Sequence, residues 1–296
     1  MKKNHLNKVI LGTAQFGSKY GVLNKNGQVA VTQARKILIE ASRVGIITLD
    51  TAAVYGNCET ILGQIGIEDF NVITKISSSS GSENEGEAWV SNCIDEALIR
   101  LKINNLYGVM FHKSSDLLTS RGFEVYKKLE ALKSEGIITK IGISIYDPKE
   151  LDDLHAFGVH FDIVQAPFNV FDRRLYSSSW LNRLKELDVE VHVRSIFLQG
   201  MLLSVRQKRP IYFSRWSEHF SVWDNWVSEN NITAIQACVD FVCSFDMVDK
   251  FVIGVEGIEQ FKKLIKLFSS SGNMVPPAKL MNNDEHLIDP RSWGKI

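Results

Sequence analysis

Residues 123–168 read FEVYKKLEALKSEGIITKIGISIYDPKELDDLHAFGVHFDIVQAPF. Four elements follow one another here. FEVYKKLEALKSEG (123–136) has helical apolar spacing and ends in glycine, while ITKIGISI (138–145) is a short β-rich run. PKELDDLHAFG (148–158) opens with proline in a first-turn position and again ends in glycine, before a second β-rich run, DIVQAPF (162–168). Both runs are apolar on successive residues, as strands covered on two faces should be. A helix between two such strands predicts parallel pairing through a crossover.

The same unit recurs in both directions along the chain. Further strands are expected at VILGT (9–13), IITLDT (46–51), NVITKI (71–76), YGVMFHK (107–113), EVHVRSIF (190–197) and FVIGV (251–255). Helices are expected at QARKILIEASRVG (33–45), with Thr32 as N-cap and Gly45 as stop, and at EGEAWVSNCIDEALIRLK (85–102). WLNRLKELD, ITAIQACVDFVCSF and GIEQFKKLIKLFSS complete the set. Eight strands, each followed by at least one helix at spacings of about 25–35 residues, predict an α/β fold: a single-domain (β/α)8 TIM barrel over residues 1–296. The longest interval, MLLSVRQKRPIYFSRWSEHFSVWDNW, lies between strands 7 and 8 and predicts an extra loop region at about 200–230 over one mouth. SSSSGSENEG (77–86) reads as a flexible loop after strand 3.

Composition excludes several classes. The chain has 296 residues, 45% of them hydrophobic, which is enough for a large core. Its formal charge is zero, so it lacks an electrostatic footprint for nucleic acid or an anionic membrane. The N-terminal apolar run of about six residues is short of a signal peptide, and no run approaches a membrane span. Cys58, Cys93, Cys238 and Cys243 are scattered without a CxxC pair, which fits a reduced, cytoplasmic chain without structural zinc.

Barrels of this type carry their active sites at the C-terminal ends of the strands. There, strand 2 delivers Asp50 and then Tyr55, strand 3 Lys75, strand 4 His112, strand 5 Ser144, strand 6 Gln165, and strand 7 Arg194 with Ser195. Taken singly, each has an ordinary reading: Asp50 as a turn or N-cap residue, Tyr55 as a rim aromatic, Lys75 as a solvated strand end, His112 as a hydrogen-bonded structural histidine. Taken together, they suit proton delivery to a carbonyl. A nearby ammonium lowers a phenol's pKa, a carboxylate keeps the ammonium charged and aimed, and an imidazole orients the substrate oxygen or relays the proton.

LDTAAVYG, ITKI, MFHK, IGISIYD, VQAPFN and RSIFLQGML, from LGTAQFG near the start to FVIGVEGIEQFKKLI near the end, resemble in order the motifs of the aldo-keto reductases. The resemblance implies a (β/α)8 barrel that binds a nicotinamide cofactor without a metal and acts on a small-molecule carbonyl or alcohol. Tyr55 would be the general acid, with Lys75 and Asp50 beside it and His112 orienting the substrate. Asp50, Gly12 and Thr13 of LGT, Ser144, Gln165 and Arg194 would lie around the nicotinamide. Ile145 follows Ser144 where the family often has asparagine, and Arg194 stands where many members stack a tyrosine, a role a planar guanidinium can also fill. Ser195, Phe197, Leu198 and Gly200 would cover the pyrophosphate. The turn GVEGIEQ, with Gly254, Val255, Gly257 and Gln260, would meet the adenosine phosphate. The family prior puts NADP(H) ahead. Glu256, with no lysine or arginine at the aligned positions, makes NAD(H) or dual use the alternative, because a carboxylate can accept from a ribose 2′-hydroxyl.

Two other functions compete with carbonyl reduction: a barrel aldolase using Lys75 as Schiff-base nucleophile, and a cofactor-binding barrel that mainly docks a partner. Cys58 reads as loop packing rather than as a reactive thiol, and Cys238 and Cys243 as core. Trp216, Trp223 and Trp226 either wall the substrate pocket or pack the extra loop. Arg206, Lys208, Arg209 and Arg215 read as a solvated loop, with an anionic substrate as the sharper reading. The tail PPAKLMNNDEHLIDPRSWGKI has no strong pattern and suggests an open mouth suited to a sugar or other polar carbonyl.

Overall fold

The computed structural model describes residues 3–77, 86–272 and 274–294. Eight strands, β1 (Val9–Gly12), β2 (Thr48–Asp50), β3 (Asn71–Ile76), β4 (Leu106–Phe111), β5 (Ile138–Ser144), β6 (Ile163–Pro167), β7 (Glu190–Arg194) and β8 (Lys250–Gly254), pair in sequence order. Every pairing is parallel, and β8 closes on β1 through Gly12 and Gly254. Among the described residues, the α-helices longer than four residues are α1 (Val31–Arg43), α2 (Cys58–Ile65), α3 (Gly86–Leu101), α4 (Ser120–Ser134), α5 (Lys149–Ala156), α6 (Trp180–Glu186), α7 (Ser217–Glu229), α8 (Ala234–Cys243) and α9 (Ile258–Phe268). The expected TIM barrel is therefore present as a single closed sheet.

Strand alternation divides the barrel into two compartments. Outward residues such as Leu11, Leu49, Val72, Val109, Ile141 and Val191 join the helices' apolar faces in one large core. Inward residues form a small separate cluster of Ile10, Ile73, Met110 and Ile163. Two positions further along the same faces come Gly12, Lys75, His112 and Gln165, so the top of the barrel turns polar where its bottom plug is apolar.

Two helix ends follow the glycine signals closely. Gly45 and Gly136 take φ of +80° and +77°, and the next residue's N–H reaches back to Ala41 and Leu132, respectively. This is a Schellman closure that satisfies the last carbonyls of α1 and α4.

Other boundaries differ from the sequence reading. Helix α1 starts at Val31, so Thr32 lies inside its first turn and the N-cap position is Ala30, without a side-chain cap. Helix α4 starts earlier than expected because Thr119 caps it, accepting from the Gly122 N–H at 2.9 Å. Strand β7 stops at Arg194 because Ser195 turns to φ +57°. Most of the serine-rich stretch 77–86 lies outside the described residues.

The interval after β7 is largely helical. It holds 3-10 turns at Leu198–Leu203, Arg206–Lys208 and Ile211–Trp216, followed by α7. Trp216 and Trp223 are buried, and Trp226 stacks on Trp223 with centroids 5.8 Å apart. These three tryptophans pack the segment onto the barrel, and none lines the main cleft. Arg209 donates to Asp224 at 2.8 Å and lies over Phe220, while Arg215 lies over Trp216. Those two cations are structural.

The C-terminal residues are also ordered by packing, contrary to their weak pattern. Trp216 Nε1 donates to Asp284, Tyr212 donates to the carbonyl of His286, and Trp293 is buried.

Candidate active site

Asp50 is the last residue of β2 and is buried. Its backbone carbonyl accepts from the Thr13 N–H at 3.0 Å and the Thr13 hydroxyl at 2.9 Å, which ties the ends of β1 and β2 together. Its two carboxylate oxygens are both engaged. Oδ1 accepts from Lys75 Nζ at 2.6 Å and Oδ2 from Gln165 Nε2 at 2.7 Å. Lys75, only 2% exposed, also donates to the Thr51 carbonyl at 3.2 Å. Strands 2, 3 and 6 are thus joined across the barrel by one buried, hydrogen-bonded ion pair, the form in which buried charge is tolerated.

Tyr55 sits in the turn after β2, its N–H donating to the Ala52 carbonyl. The ring lies 5.5 Å from Lys75 Nζ and meets the His112 ring edge-on, with centroids 6.2 Å apart. Two glycines set its place. A Cβ on Gly17 would run into the Tyr55 carbonyl oxygen, and one on Gly56 into the Gly17 carbonyl. The one-turn helix Ala14–Gly17 and the Tyr55–Gly56 turn therefore meet backbone to backbone.

The electrostatics correct one expectation. Lys75 was expected to lower the phenol's pKa. Burial instead pushes Tyr55 well up, and the Asp50 charge adds to the rise, with Arg194 opposing it. The larger physical reason is burial of the phenol; Asp50, 2.6 Å from Lys75, adds a negative charge on the same side as the ammonium. Tyr55 accordingly stays protonated across neutral pH. Burial, then the charges of Lys75 and Arg194, push His112 down to about 4, so its imidazole is neutral.

A cleft opens above this group. Of the expected cofactor residues it is lined by Gly12, Thr13, Asp50, Gln165, Arg194 and Ser195, and further by Phe197, Gly200, Gly254 and Gln260. Leu198 and Val255 do not face it; both side chains are fully buried in the core. Gly257 lines a shallower groove that continues from the cleft at the N-terminus of α9. Ser144 is buried beside Gln165, its partner in strand register. Tyr55 also lines it, with Lys75 and His112 packed against the Tyr55 ring.

Arg194 is held in place at the mouth. Its Nη2 donates to the Ile145 carbonyl at 2.9 Å, and its guanidinium lies 4.1 Å from the Tyr146 ring. Arg291, from the C-terminal segment, lies 3.7 Å from that same ring. The tail thus reaches the mouth, where an open rim was expected.

After Arg194 the chain enters the left-handed region at Ser195, Leu198, Gln199 and Gly200. Three of these four are not glycine, a costly conformation kept where the surroundings over-determine it. Here Asn169, itself buried, donates to the Ser195 carbonyl, and Gln199 Oε1 accepts from the Val22 N–H.

Gln15, Tyr20, Asn24 and Gln199 also line the cleft and went unnoticed in the sequence. They belong to connecting segments without strand-end spacing, Gln15 in the one-turn helix Ala14–Gly17 and Gln199 in the 3-10 turn Leu198–Leu203; only the glycines around them hinted at close chain approach.

Cys58 is buried, its Sγ donating to the Thr13 carbonyl, and burial raises its pKa. That environment suppresses thiolate chemistry. Among the described residues, no group of three or more His, Cys, Asp or Glu could hold a metal ion, and no helix is long and apolar enough to cross a membrane.

A closed parallel barrel with an acid, phenol, amine and imidazole around its C-terminal mouth defines the class. Residues 8–271 match the sequence model of the Aldo/keto reductase family, and the chain belongs to that family. It is 30% identical over 149 residues to a Schizosaccharomyces pombe protein, "Uncharacterized oxidoreductase C28F2.05". That match covers 46% of this chain and 51% of the yeast protein, so the chain spans about half the length of that relative. Among solved structures, the holo form of aldo-keto reductase AKR11C1 from Bacillus halodurans superposes with a TM-score of 0.71 at 20% identity, over 95% of this chain and 99% of that one. PA4992 from Pseudomonas aeruginosa gives 0.65 at 20% identity, over 88% and 89%. Identities this low speak for the fold alone.

Proposed function

We propose that the chain is an NAD(P)(H)-dependent oxidoreductase that interconverts a small aldehyde or ketone and its alcohol, with Tyr55 as proton donor. The observation that carries this reading is the arrangement of Tyr55 and neutral His112 above the buried Asp50–Lys75–Gln165 set, at the floor of a long cleft.

The residues present fit the dinucleotide. Gly12 and Gly254 are register partners and leave a floor without side chains along the cleft. A Cβ at Gly254 would strike Gln15. Gln165 gives its N–H to Asp50 and keeps its carbonyl oxygen to accept from a carboxamide. Ser144, Gln165 and Arg194 would hold the nicotinamide end; Ser195, Phe197 and Gly200 the middle; Gly254 and Gln260 the far end. The bound nicotinamide supplies or removes the hydride at the carbonyl carbon.

The chain's own groups handle the oxygen. Tyr55, protonated at neutral pH, donates a proton to the developing alkoxide, and the low pKa of His112 keeps its imidazole neutral, so that it orients the oxygen by a hydrogen bond rather than by charge. Lys75 and Asp50 hold the floor rigid. Lys75 is poorly placed as a Schiff-base nucleophile, since its amino group is buried and held 2.6 Å from the Asp50 carboxylate. The four unpaired cysteines suit a cytoplasmic enzyme.

The test is reduction of a carbonyl panel with NADH and NADPH by the wild type and Tyr55→Phe. We expect kcat to fall about 10²–10⁴-fold in the variant, with cofactor binding unchanged. Full activity in Tyr55→Phe would sink the mechanism.

A further inference from the structure

We infer that Glu256 makes the far end of the cleft selective for an unphosphorylated adenosine ribose, so that this chain takes NAD(H) in preference to NADP(H). The inference deepens the proposed reading and rests on it, and it reverses the order expected from the family.

The direction of the dinucleotide follows from the cleft. The reacting end must lie at Asp50 and Tyr55. From there the cleft runs over Gly12 and along Val252–Gly254 to Glu256 and Gln260. A contiguous groove continues past them, lined by Asn26, Gln33, Glu256, Gly257, Glu259 and Gln260. The end remote from the chemistry is therefore where the adenosine ribose would sit.

A 2′-phosphate brings nearly two negative charges at neutral pH and calls for arginine or lysine. Among the described residues lining the cleft, the one cation is Arg194, held at the opposite end by Ile145 and Tyr146. Among the described residues, the groove beyond offers two carboxylates and three amides and no cation. Lys262, on the next turn of α9, faces Glu259 at 3.7 Å. The positive end of the α9 dipole is already met by Glu256 and Glu259.

Glu256 is also aimed. Its Oε2 accepts from Asn26 Nδ2 at 3.0 Å, and its N–H donates to Gln260 Oε1 at 2.7 Å. Oε1 is left to accept from a ribose 2′-hydroxyl, the pairing that selects NAD in other dinucleotide sites. The same carboxylate repels a 2′-phosphate.

The test is direct binding, read by quenching of tryptophan fluorescence and by calorimetry, with no substrate present. NADH and NADPH are titrated into the wild type, Glu256→Gln and Glu256→Lys, with thermal melts to confirm folding. We expect NADH to bind the wild type at least about tenfold more tightly, the difference to shrink in Glu256→Gln, and the order to reverse in Glu256→Lys. NADPH binding the wild type as tightly as NADH overturns the inference and leaves the proposed function standing. Undiminished selectivity in Glu256→Gln removes Glu256 from the role. Binding of neither cofactor overturns both readings.

Discussion

Asp50 shows how one side chain can anchor three strands. Each of its carboxylate oxygens has a single strong donor, Lys75 Nζ or Gln165 Nε2, and the three residues come from β2, β3 and β6. Removing one member leaves a buried charge without its partner. We therefore expect Lys75→Met to lose about 3–5 kcal/mol of folding stability, read from denaturant unfolding, in addition to activity. The double variant Lys75→Met with Asp50→Asn should regain part of the stability without regaining turnover. An unchanged unfolding midpoint in Lys75→Met would mean that Asp50 finds another partner.

The elements decide where the phenol stands. Strand β2 ends at Asp50, and the turn to α2 carries Tyr55 five residues on. That turn is pinned from the other side by the helix Ala14–Gly17. Adding a methyl group at Gly17 must push the two backbones apart and carry Tyr55 with them. Gly17→Ala should lower kcat more than it weakens NADH binding, since the cofactor floor at Gly12 and Gly254 is set by strand pairing and is untouched. Matching losses in kcat and Kd would show that the variant disturbs the cleft as a whole. At this scale much was legible: the strand and helix alternation, the glycine stops at 45 and 136, and the strand ends. The cap at Thr119, helix α2 and the order imposed on the C-terminal segment were not read, because that segment gains its order from tertiary contacts rather than from local periodicity.

For the whole molecule, the polar groups inside the barrel govern its response to acid. Glu190 and His192 point into the bottom of the barrel with Lys140 and Tyr107. Although burial alone would raise it, hydrogen bonds from His192 and Lys140 hold Glu190 down at about 2, against its ordinary 4.5. A carboxylate depressed in the folded state stabilises it above the unfolded pKa, and that contribution is lost as pH falls from about 4.5 towards about 2. His112, held down at about 4 against 6.5, acts in the same direction at higher pH: between the two values the unfolded chain takes up a proton that the folded one refuses. The melting temperature should thus be level near neutrality and fall progressively below about pH 6.5. His112→Gln should flatten the upper part of that decline, and Glu190→Gln the lower part. A melting temperature constant from pH 7 to 4 would rule out the His112 assignment, and one constant from about pH 4.5 to 2 the Glu190 assignment.

By itself the sequence determined the barrel and the positions that reach its mouth, because strand and helix periodicity and residue order along a parallel sheet are local properties of the chain. The tertiary structure alone decided which charges cancel and which act. It buried Tyr55 and so left it protonated, paired Lys75 with Asp50, placed Arg194 on Ile145 and Tyr146, turned Leu198 and Val255 away from the cleft, and set Glu256 in a groove that holds no cation among the described residues. Those outcomes depend on distances of a few ångströms between residues far apart in the chain, and electrostatic interaction in a buried site changes steeply over such distances.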